Sequence, residues 1–179
     1  RFRPPQPAPA WTGTLDATRF GPQAMQAVGQ MEALFGATPP TSSEDCLTLN
    51  IFTPAPDGAR RPALVWIHGG AFLTGSGATP WYNGHSFAAN HDIVVVTVNY
   101  RLGALGFLHL EDIGGSEFAG SGNLGILDQV AALEWVRDNI EAFGGDPNNV
   151  TAFGESAGAM SVGTLLGTPA AKGLFTRAI

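Results

Sequence analysis

The stretch Val150-Thr151-Ala152-Phe153-Gly154-Glu155-Ser156-Ala157-Gly158 decides the fold class. Its first four residues predict a short buried strand, and residues 157–166 predict a helix that begins directly after Ser156. Gly154 and Gly158 would let the strand and the helix approach closely, while the serine adopts a strained conformation that exposes its hydroxyl. This order of strand, serine and helix is typical of a nucleophile elbow, with Ser156 as the candidate nucleophile. The alternative interpretation is a surface serine flanked by glycines.

Outside this stretch, the chain alternates predicted strands and helices. Two apolar runs without alternation suit strands that are covered on both faces, and such strands are usually parallel. The alternating segment 47–52 predicts a half-buried strand near a sheet edge. The predicted elements are strands 47–52, 63–67, 93–98 and 150–153, and helical stretches 86–90, 123–140 and 157–166, with irregular structure at 1–43, 69–77 and 103–122. This pattern predicts an α/β fold, with a mostly parallel sheet and crossover helices.

A second motif, His68-Gly69-Gly70-Ala71-Phe72, follows a predicted buried strand. Hydrolases with a nucleophile elbow keep at this place a loop whose backbone N–H groups bind a negatively charged oxygen. The N–H groups of Gly70, Ala71 and Ala157 are therefore the predicted oxyanion donors, and the dipole of the helix that begins at Ala157 favours the same charge. His68 is not the expected base, because the base follows the serine in such chains. We expect it to shape the loop.

The remaining candidate groups give weaker signals. His85, His91 and His109 also precede the serine and lie in polar or connecting segments, so each is expected to be solvated or locally bonded. Glu155 could tune the electrostatics beside the nucleophile or could be a structural group, and the sequence leaves both interpretations open.

Composition excludes several functional classes. The 179 residues carry a net charge of −6 with only nine Lys and Arg, so no basic stripe could follow a nucleic acid backbone. Cys46 is the single cysteine, which excludes an internal disulfide and a thiolate metal cluster; a buried structural thiol is expected. No apolar run approaches the roughly 18 residues of a membrane span. Residues 1–5 lack the apolar core of a signal peptide, but a signal could have preceded Arg1, so a cytoplasmic and a secreted location both stay open.

With these motifs placed, the chain resembles the type-B carboxylesterase and cholinesterase family, which includes para-nitrobenzyl esterases. The resemblance covers nearly the whole chain and rests on blocks in family order. These blocks are Arg1-Phe2-Arg3-Pro4-Pro5, Glu44-Asp45-Cys46-Leu47-Thr48-Leu49-Asn50, the loop 68–72, Asn99-Tyr100-Arg101-Leu102-Gly103, Asn123-Leu124-Gly125-Ile126-Leu127-Asp128-Gln129, Phe143-Gly144-Gly145-Asp146-Pro147, the serine elbow, and Leu174-Phe175-Thr176-Arg177-Ala178-Ile179.

The resemblance implies an α/β-hydrolase fold and hydrolysis of small-molecule carboxylic esters through an acyl-enzyme, without a metal or organic cofactor. It carries over Ser156 as nucleophile, the three oxyanion donors, and a buried ion pair between Arg101 and Asp128. Glu44 is expected to meet an N-terminal arginine. Many relatives have a third glycine at the position of Ala71; because only the backbone N–H is required, the hole should survive with a slightly smaller acyl space.

The resemblance also implies that 1–179 is a single incomplete domain. In the family, the acid and the histidine of the triad lie well beyond the serine, so we expect the chain to need the remainder of its own protein for turnover. The absence of a cysteine before Cys46 removes a disulfide of secreted animal relatives and favours a bacterial enzyme. The alternative function is that of a non-catalytic, cholinesterase-like binding or adhesion protein, which shares the fold without the catalytic residues.

Overall fold

A five-stranded sheet organises the part of the chain that the computed structural model describes, residues 1–27, 34 and 41–179. Its strands are β3 (Leu49–Phe52), β4 (Arg61–Ile67), β5 (Val94–Val98), β6 (Gly145–Gly154) and β7 (Arg177–Ala178), in the spatial order β3-β5-β4-β6-β7. Strands β5, β4, β6 and β7 are parallel, whereas β3 is antiparallel and lies at one edge. The predicted mostly parallel α/β sheet and its edge strand are confirmed.

The N-terminal region contributes only two very short strands to the described structure. β1 (Gln23–Ala24) and β2 (Ser42–Ser43) pair in parallel with each other, apart from the main sheet. The rest of 1–27 has no regular element, in agreement with the prediction of loops. That prediction also covers residues 28–33 and 35–40, which lie outside the described residues.

The helices cover the sheet and connect its strands. They are α1 (His85–His91), α2 (Gly103–Phe107), α3 (Glu111–Gly114), α4 (Leu124–Asn139) and α5 (Ala157–Gly167). Single 3-10 turns lie at Pro80–Tyr82, Ser116–Phe118, Ser121–Asn123, Ile140–Phe143 and Pro169–Ala171. The two long predicted helices, α4 and α5, are confirmed within one residue at each of their four ends.

Two segments differ from the prediction by more than two residues. The connection 103–122, expected to be irregular, contains α2, α3 and two 3-10 turns. These turns form through local backbone hydrogen bonds, such as that from the Gly114 N–H to the Leu110 carbonyl (2.7 Å), which need no apolar periodicity in the sequence. β6 begins at Gly145, five residues before the predicted Val150. Gly145 pairs with Arg61, and the register then shifts before Ala63 meets Val150. A pattern of apolar residues cannot reveal this extension, because it consists of Gly, Asp, Pro and two Asn residues.

The core lies between the sheet and its helices. Every residue of β5 is buried, as expected for a central strand covered on both faces. Helix α4 contributes a buried face that includes Leu124, Val130 and Leu133, and α5 adds Val162. Each such side chain contributes roughly 1.5–3 kcal/mol on full burial. This packing holds the ends of the central strands in place, and the candidate site lies at those ends.

Candidate active site

The candidate site lies at the carboxyl edge of the central strands. In the register of the sheet, Ile67 at the end of β4 pairs with Val98 on one side and with Gly154 on the other. The residues that follow each strand therefore emerge at the same edge. Parallel α/β sheets place their ligand sites at this edge. The structure thus brings together the two motifs that the sequence singled out, although they lie more than 80 residues apart.

Ser156 occupies the strained turn that its motif predicts. Its φ of 54° and ψ of −123° lie in a region that residues with a Cβ rarely adopt. The side chain is exposed, and α5 begins at the next residue. The turn is closed by hydrogen bonds from the Gly158 N–H to the Glu155 carbonyl (2.8 Å) and from the Met160 N–H to the Ser156 carbonyl (3.0 Å). The serine is therefore presented to solvent at a helix N-terminus.

The glycine-rich loop, residues 69–77, lies directly beside this serine. A Cβ on Gly69 would come within 3.2 Å of the Ser156 Cβ. The next three residues, Gly70, Ala71 and Phe72, have φ values of 106°, 55° and 60°. The Gly70 carbonyl accepts hydrogen bonds from the N–H groups of the residues three and four positions later, at 2.9 and 3.0 Å. The loop is thus a tight left-handed turn whose Ala71 and Phe72 carry backbone strain.

The three predicted oxyanion donors remain available for a ligand. Within the described residues, no acceptor receives a hydrogen bond from the backbone N–H of Gly70, Ala71 or Ala157. The last of these opens α5, so it also lies at the positive end of the helix dipole. Free N–H groups on a loop and at a helix N-terminus can together bind an oxygen that becomes negative. They are suited to acyl transfer at the adjacent hydroxyl.

His68 lies between the end of β4 and the glycine-rich loop, and it is buried. Its Nδ1 is 2.8 Å from the Gly69 carbonyl oxygen, which assigns the proton to Nδ1 as the donor. Its ring stacks on Tyr100 at 4.4 Å between centroids, and the Tyr100 hydroxyl donates to the His68 carbonyl at 2.8 Å. Burial lowers the pKa of His68 to about 4. These contacts agree with a loop-shaping role for a neutral imidazole.

The buried His68 makes the protein's stability sensitive to mild acid. Its pKa in the fold is about 4, against an ordinary value near 6.5, so between these pH values the unfolded chain binds a proton that the folded chain does not. The stability contribution is complete above pH 6.5 and is lost as the pH falls. We expect the loss to reach about 2 kcal/mol at pH 5.

Urea unfolding at pH 7 and pH 5 would measure this loss. The variant His68→Gln should lose about 2 kcal/mol less than the unmodified protein over the same interval. His91→Gln, which changes an exposed histidine, is the matched control and should behave as the unmodified protein does. An equal loss in all three proteins would contradict the assignment of the effect to His68.

The other histidines make no contact with Ser156 in the described part of the chain. His85 and His91 are exposed in α1, which leads into the amino end of β5 and so lies toward the opposite edge of the sheet. His109 is exposed and pairs with Asp112 at 3.3 Å. No side chain among the described residues is hydrogen-bonded to the Ser156 hydroxyl. The described part of the chain therefore places Ser156 beside the three unengaged N–H groups, without a histidine in contact with them.

The expected ion pairs are confirmed and lie in structural positions. Arg101 donates from Nε and from its guanidinium end to both oxygens of Asp128, at 2.7 and 2.6 Å, and the carboxylate is fully buried. Glu44 pairs with Arg1 at the surface. Cys46 is buried, and this burial raises the pKa of its thiol to about 11. A thiol with so high a pKa is a poor nucleophile.

Two polar residues that the sequence did not single out as site residues contact the loop. The Asn99 Oδ1 accepts a hydrogen bond from the Gly77 N–H at 2.8 Å. The Gln26 side chain pairs with the backbone of Gly75. Asn99 belongs to one of the blocks that carry the family resemblance, and this block could have drawn attention to it. Gln26, by contrast, lies in a segment without periodicity. No pattern in the sequence could have connected it with a loop 49 residues later.

Two classes of site are absent from the described residues. Within 1–27, 34 and 41–179, no three His, Cys, Asp or Glu side chains are grouped as metal ligands would be. The helices of the same part of the chain are too short or too polar to cross a membrane.

Comparisons with known proteins agree on one family. The model of the carboxylesterase family matches residues 1–179. Para-nitrobenzyl esterase of Bacillus subtilis (strain 168) is 52% identical over 179 residues, which cover 100% of this chain and 36% of that protein. Human carboxylesterase 3 is 49% identical over 186 residues, which cover 100% of this chain and 31% of that protein.

Solved structures agree as well. The Geobacillus stearothermophilus carboxylesterase EST55 at pH 6.2 superposes with a TM-score of 0.92 at 59% identity, over 99% of this chain and 35% of that one. The chain thus spans about a third of the length of the proteins that it matches.

Proposed function

We propose, on the premise that this chain belongs to the carboxylesterase family and has part of an α/β-hydrolase fold, that its protein hydrolyses carboxylic esters with Ser156 as the nucleophile. The observation that carries the proposal is the strained, exposed Ser156 beside three unengaged backbone N–H groups. Ser156 and the three N–H groups can promote acyl transfer only together. A nucleophile needs a place for the charge that its attack creates, and the N–H groups provide that place.

The proposed reaction proceeds in two steps. The Ser156 oxygen attacks the ester carbonyl carbon, and its proton passes to a histidine base and then to the departing alcohol as the bond between carbonyl carbon and alcohol oxygen breaks. Water then attacks the acyl carbon, the bond to the serine oxygen breaks, and the carboxylic acid leaves with the serine hydroxyl restored. In both tetrahedral intermediates, the N–H groups of Gly70, Ala71 and Ala157 would bind the oxyanion.

The base and the acid would come from outside these 179 residues. All four histidines of the chain are accounted for: one is buried against Tyr100, and three are exposed without contact to Ser156. The chain spans about a third of its relatives, so it would form part of a single larger hydrolase domain. A serine without a base is a weak nucleophile, and the isolated chain should therefore show no appreciable turnover.

The substrate class that we propose is a small-molecule ester. The relatives include proteins named para-nitrobenzyl esterase and phenmedipham hydrolase, which 52% and 49% identity connect with this chain. Ala71 carries a Cβ where many members of the family have a glycine, so the proposed acyl space is slightly smaller than theirs.

A fluorophosphonate probe would test the proposed nucleophile in the complete protein that contains this chain. The probe's phosphorus is attacked by an activated serine, fluoride leaves, and a stable phosphonyl ester remains on the oxygen. We expect one adduct, on the peptide that carries Ser156. Ser156→Ala should not be labelled, whereas Ser86→Ala, which changes an exposed serine on α1, should be labelled normally.

Two outcomes would count against the proposal. An unmodified protein that resists the probe would have no activated serine, which is the result that a non-catalytic binding protein would give. A label on another residue would identify that residue, and not Ser156, as the nucleophile.

A further inference from the structure

We infer that Gln26 is a positioning residue that holds the oxyanion loop in its donor geometry; the inference rests on the proposed function. The loop needs external support, because two of its non-glycine residues, Ala71 and Phe72, have positive φ values. Such conformations cost of order 1–3 kcal/mol each and persist only where the surroundings impose them. The residues that impose this conformation therefore control where the oxyanion donors point.

Gln26 binds the far end of the loop in both directions. Its Nε2 donates to the Gly75 carbonyl at 2.8 Å, and its Oε1 accepts from the Gly75 N–H at 2.7 Å. Nε2 also donates to the Ala24 carbonyl at 3.1 Å, so both of its hydrogens are engaged. The primary amide thus pairs as one rung of a β-ladder does, and it fixes the two peptide units on either side of the Gly75 Cα. No other polar side-chain type of this length can make the same pair of bonds.

The residue that Gln26 holds is in contact with the beginning of the loop. Gly75 has a φ of 115°, and a Cβ there would lie 2.6 Å from the Gly69 carbonyl oxygen and even closer to Nδ1 of His68. Gly69 in turn lies against Ser156. Gly75 therefore packs against the first residue of the loop, on the side opposite the predicted oxyanion donors. A displacement of Gly75 would be transmitted to the donors, because packed backbone has no empty space to absorb it.

The segment that carries Gln26 is itself firmly held. Asn99, which follows β5, donates from Nδ2 to the Pro22 carbonyl at 3.1 Å and accepts from the Gly77 N–H at 2.8 Å. Gln23 is 94% buried and donates to the Ser42 hydroxyl at 3.2 Å. The N-terminal segment is thus anchored to the same strand end as the loop. Gln26 extends from this anchor and reaches Gly75.

The variant Gln26→Met in the complete protein would test the assignment. Methionine keeps the length of the side chain and removes both hydrogen bonds to Gly75. We expect kcat to fall about 10- to 100-fold and KM to change less than about threefold, because the loop contacts the transition state more than the substrate. A trifluoromethyl ketone, whose adduct with the serine resembles the tetrahedral intermediate, should lose affinity by the same factor as kcat/KM.

Gln23→Met is the matched control, because it removes a buried amide of the same segment that makes no hydrogen bond to the loop. It should change kcat less than about threefold, even where it lowers the unfolding midpoint as much as Gln26→Met does. Each rate would be divided by the concentration of reactive serine, which is determined by titration with the fluorophosphonate probe. Differences in the fraction of folded protein then do not affect kcat. Gln26→Glu keeps the acceptor for the Gly75 N–H and loses the donor, and it should give a smaller loss of kcat.

Equal kcat values for the Gln26→Met and Gln23→Met proteins would overturn the assignment, as would a rise in KM without a change in kcat. If Gln26→Met yields no folded protein, the Gln26→Glu comparison with Gln23→Met decides by the same criterion. The proposed function is tested separately by Ser156→Ala. Turnover that survives that substitution would refute the proposed function, whatever the Gln26 variants show.

Discussion

Replacing Ser156 with alanine in the complete protein is expected to lower kcat for a p-nitrophenyl ester by at least about 10⁴-fold. The substitution removes the oxygen that we propose as the nucleophile and leaves the N–H groups of the oxyanion loop intact. Those groups would still stabilise attack by water, so a small residual rate above the uncatalysed reaction is expected. The measurement is the steady-state rate at saturating ester, with Ser86→Ala as the control for the loss of an exposed hydroxyl.

The unfolding midpoint separates this effect from a loss of fold. Alanine keeps a Cβ at a φ of 54°, so the strain stays and the midpoint should lie close to that of the unmodified protein. Ser156→Gly should be equally inactive and should unfold at a higher temperature than Ser156→Ala, because glycine adopts this conformation without steric cost. An alanine variant that keeps a tenth of the original turnover would show that another residue is the nucleophile.

Adding one methyl group at Gly158 is expected to displace helix α5. A Cβ there would lie 2.8 Å from the carbonyl carbon of Ile67, closer still to its oxygen, and 3.0 Å from the His68 carbonyl oxygen. All three atoms belong to the backbone of the central strand and its continuation, so no side-chain rotation can make room. Helix α5 must move away from β4 and carry Ser156 and the Ala157 N–H with it.

We expect Gly158→Ala to destabilise the complete protein by about 3 kcal/mol and to lower kcat about 100-fold. Gly163→Ala is the matched control in the same helix, because a Cβ at Gly163 has no atom within 4 Å. There the substitution should stabilise by up to about 1 kcal/mol through its helix propensity. Urea unfolding and ester kinetics would measure both effects. Similar stabilities for the two variants would contradict the close packing of α5 on β4.

The sequence determined the features that depend on neighbouring residues. The apolar runs 63–67 and 93–98 predicted the central strands, because a strand covered on both faces needs continuous apolar side chains. Gly154 and Gly158 on either side of Ser156 predicted the elbow, since a close crossing of strand and helix excludes Cβ atoms at those positions. The family blocks predicted the carboxylesterase family, which the comparisons confirm. Each of these signals lies within a few residues of the structure that it specifies.

Only the tertiary structure decided how distant segments meet. The sequence did not show that β6 extends back to Gly145, that His68 stacks on Tyr100, or that Gln26 reaches Gly75. These contacts join residues 32 and 49 positions apart or depend on pairing with another strand. A polar side chain has the same appearance in a sequence whether it is solvated or bonded to a buried peptide. Its partner is selected by the packing of the whole core, because burial makes an unpaired amide or carbonyl costly and only the assembled fold determines which groups are buried.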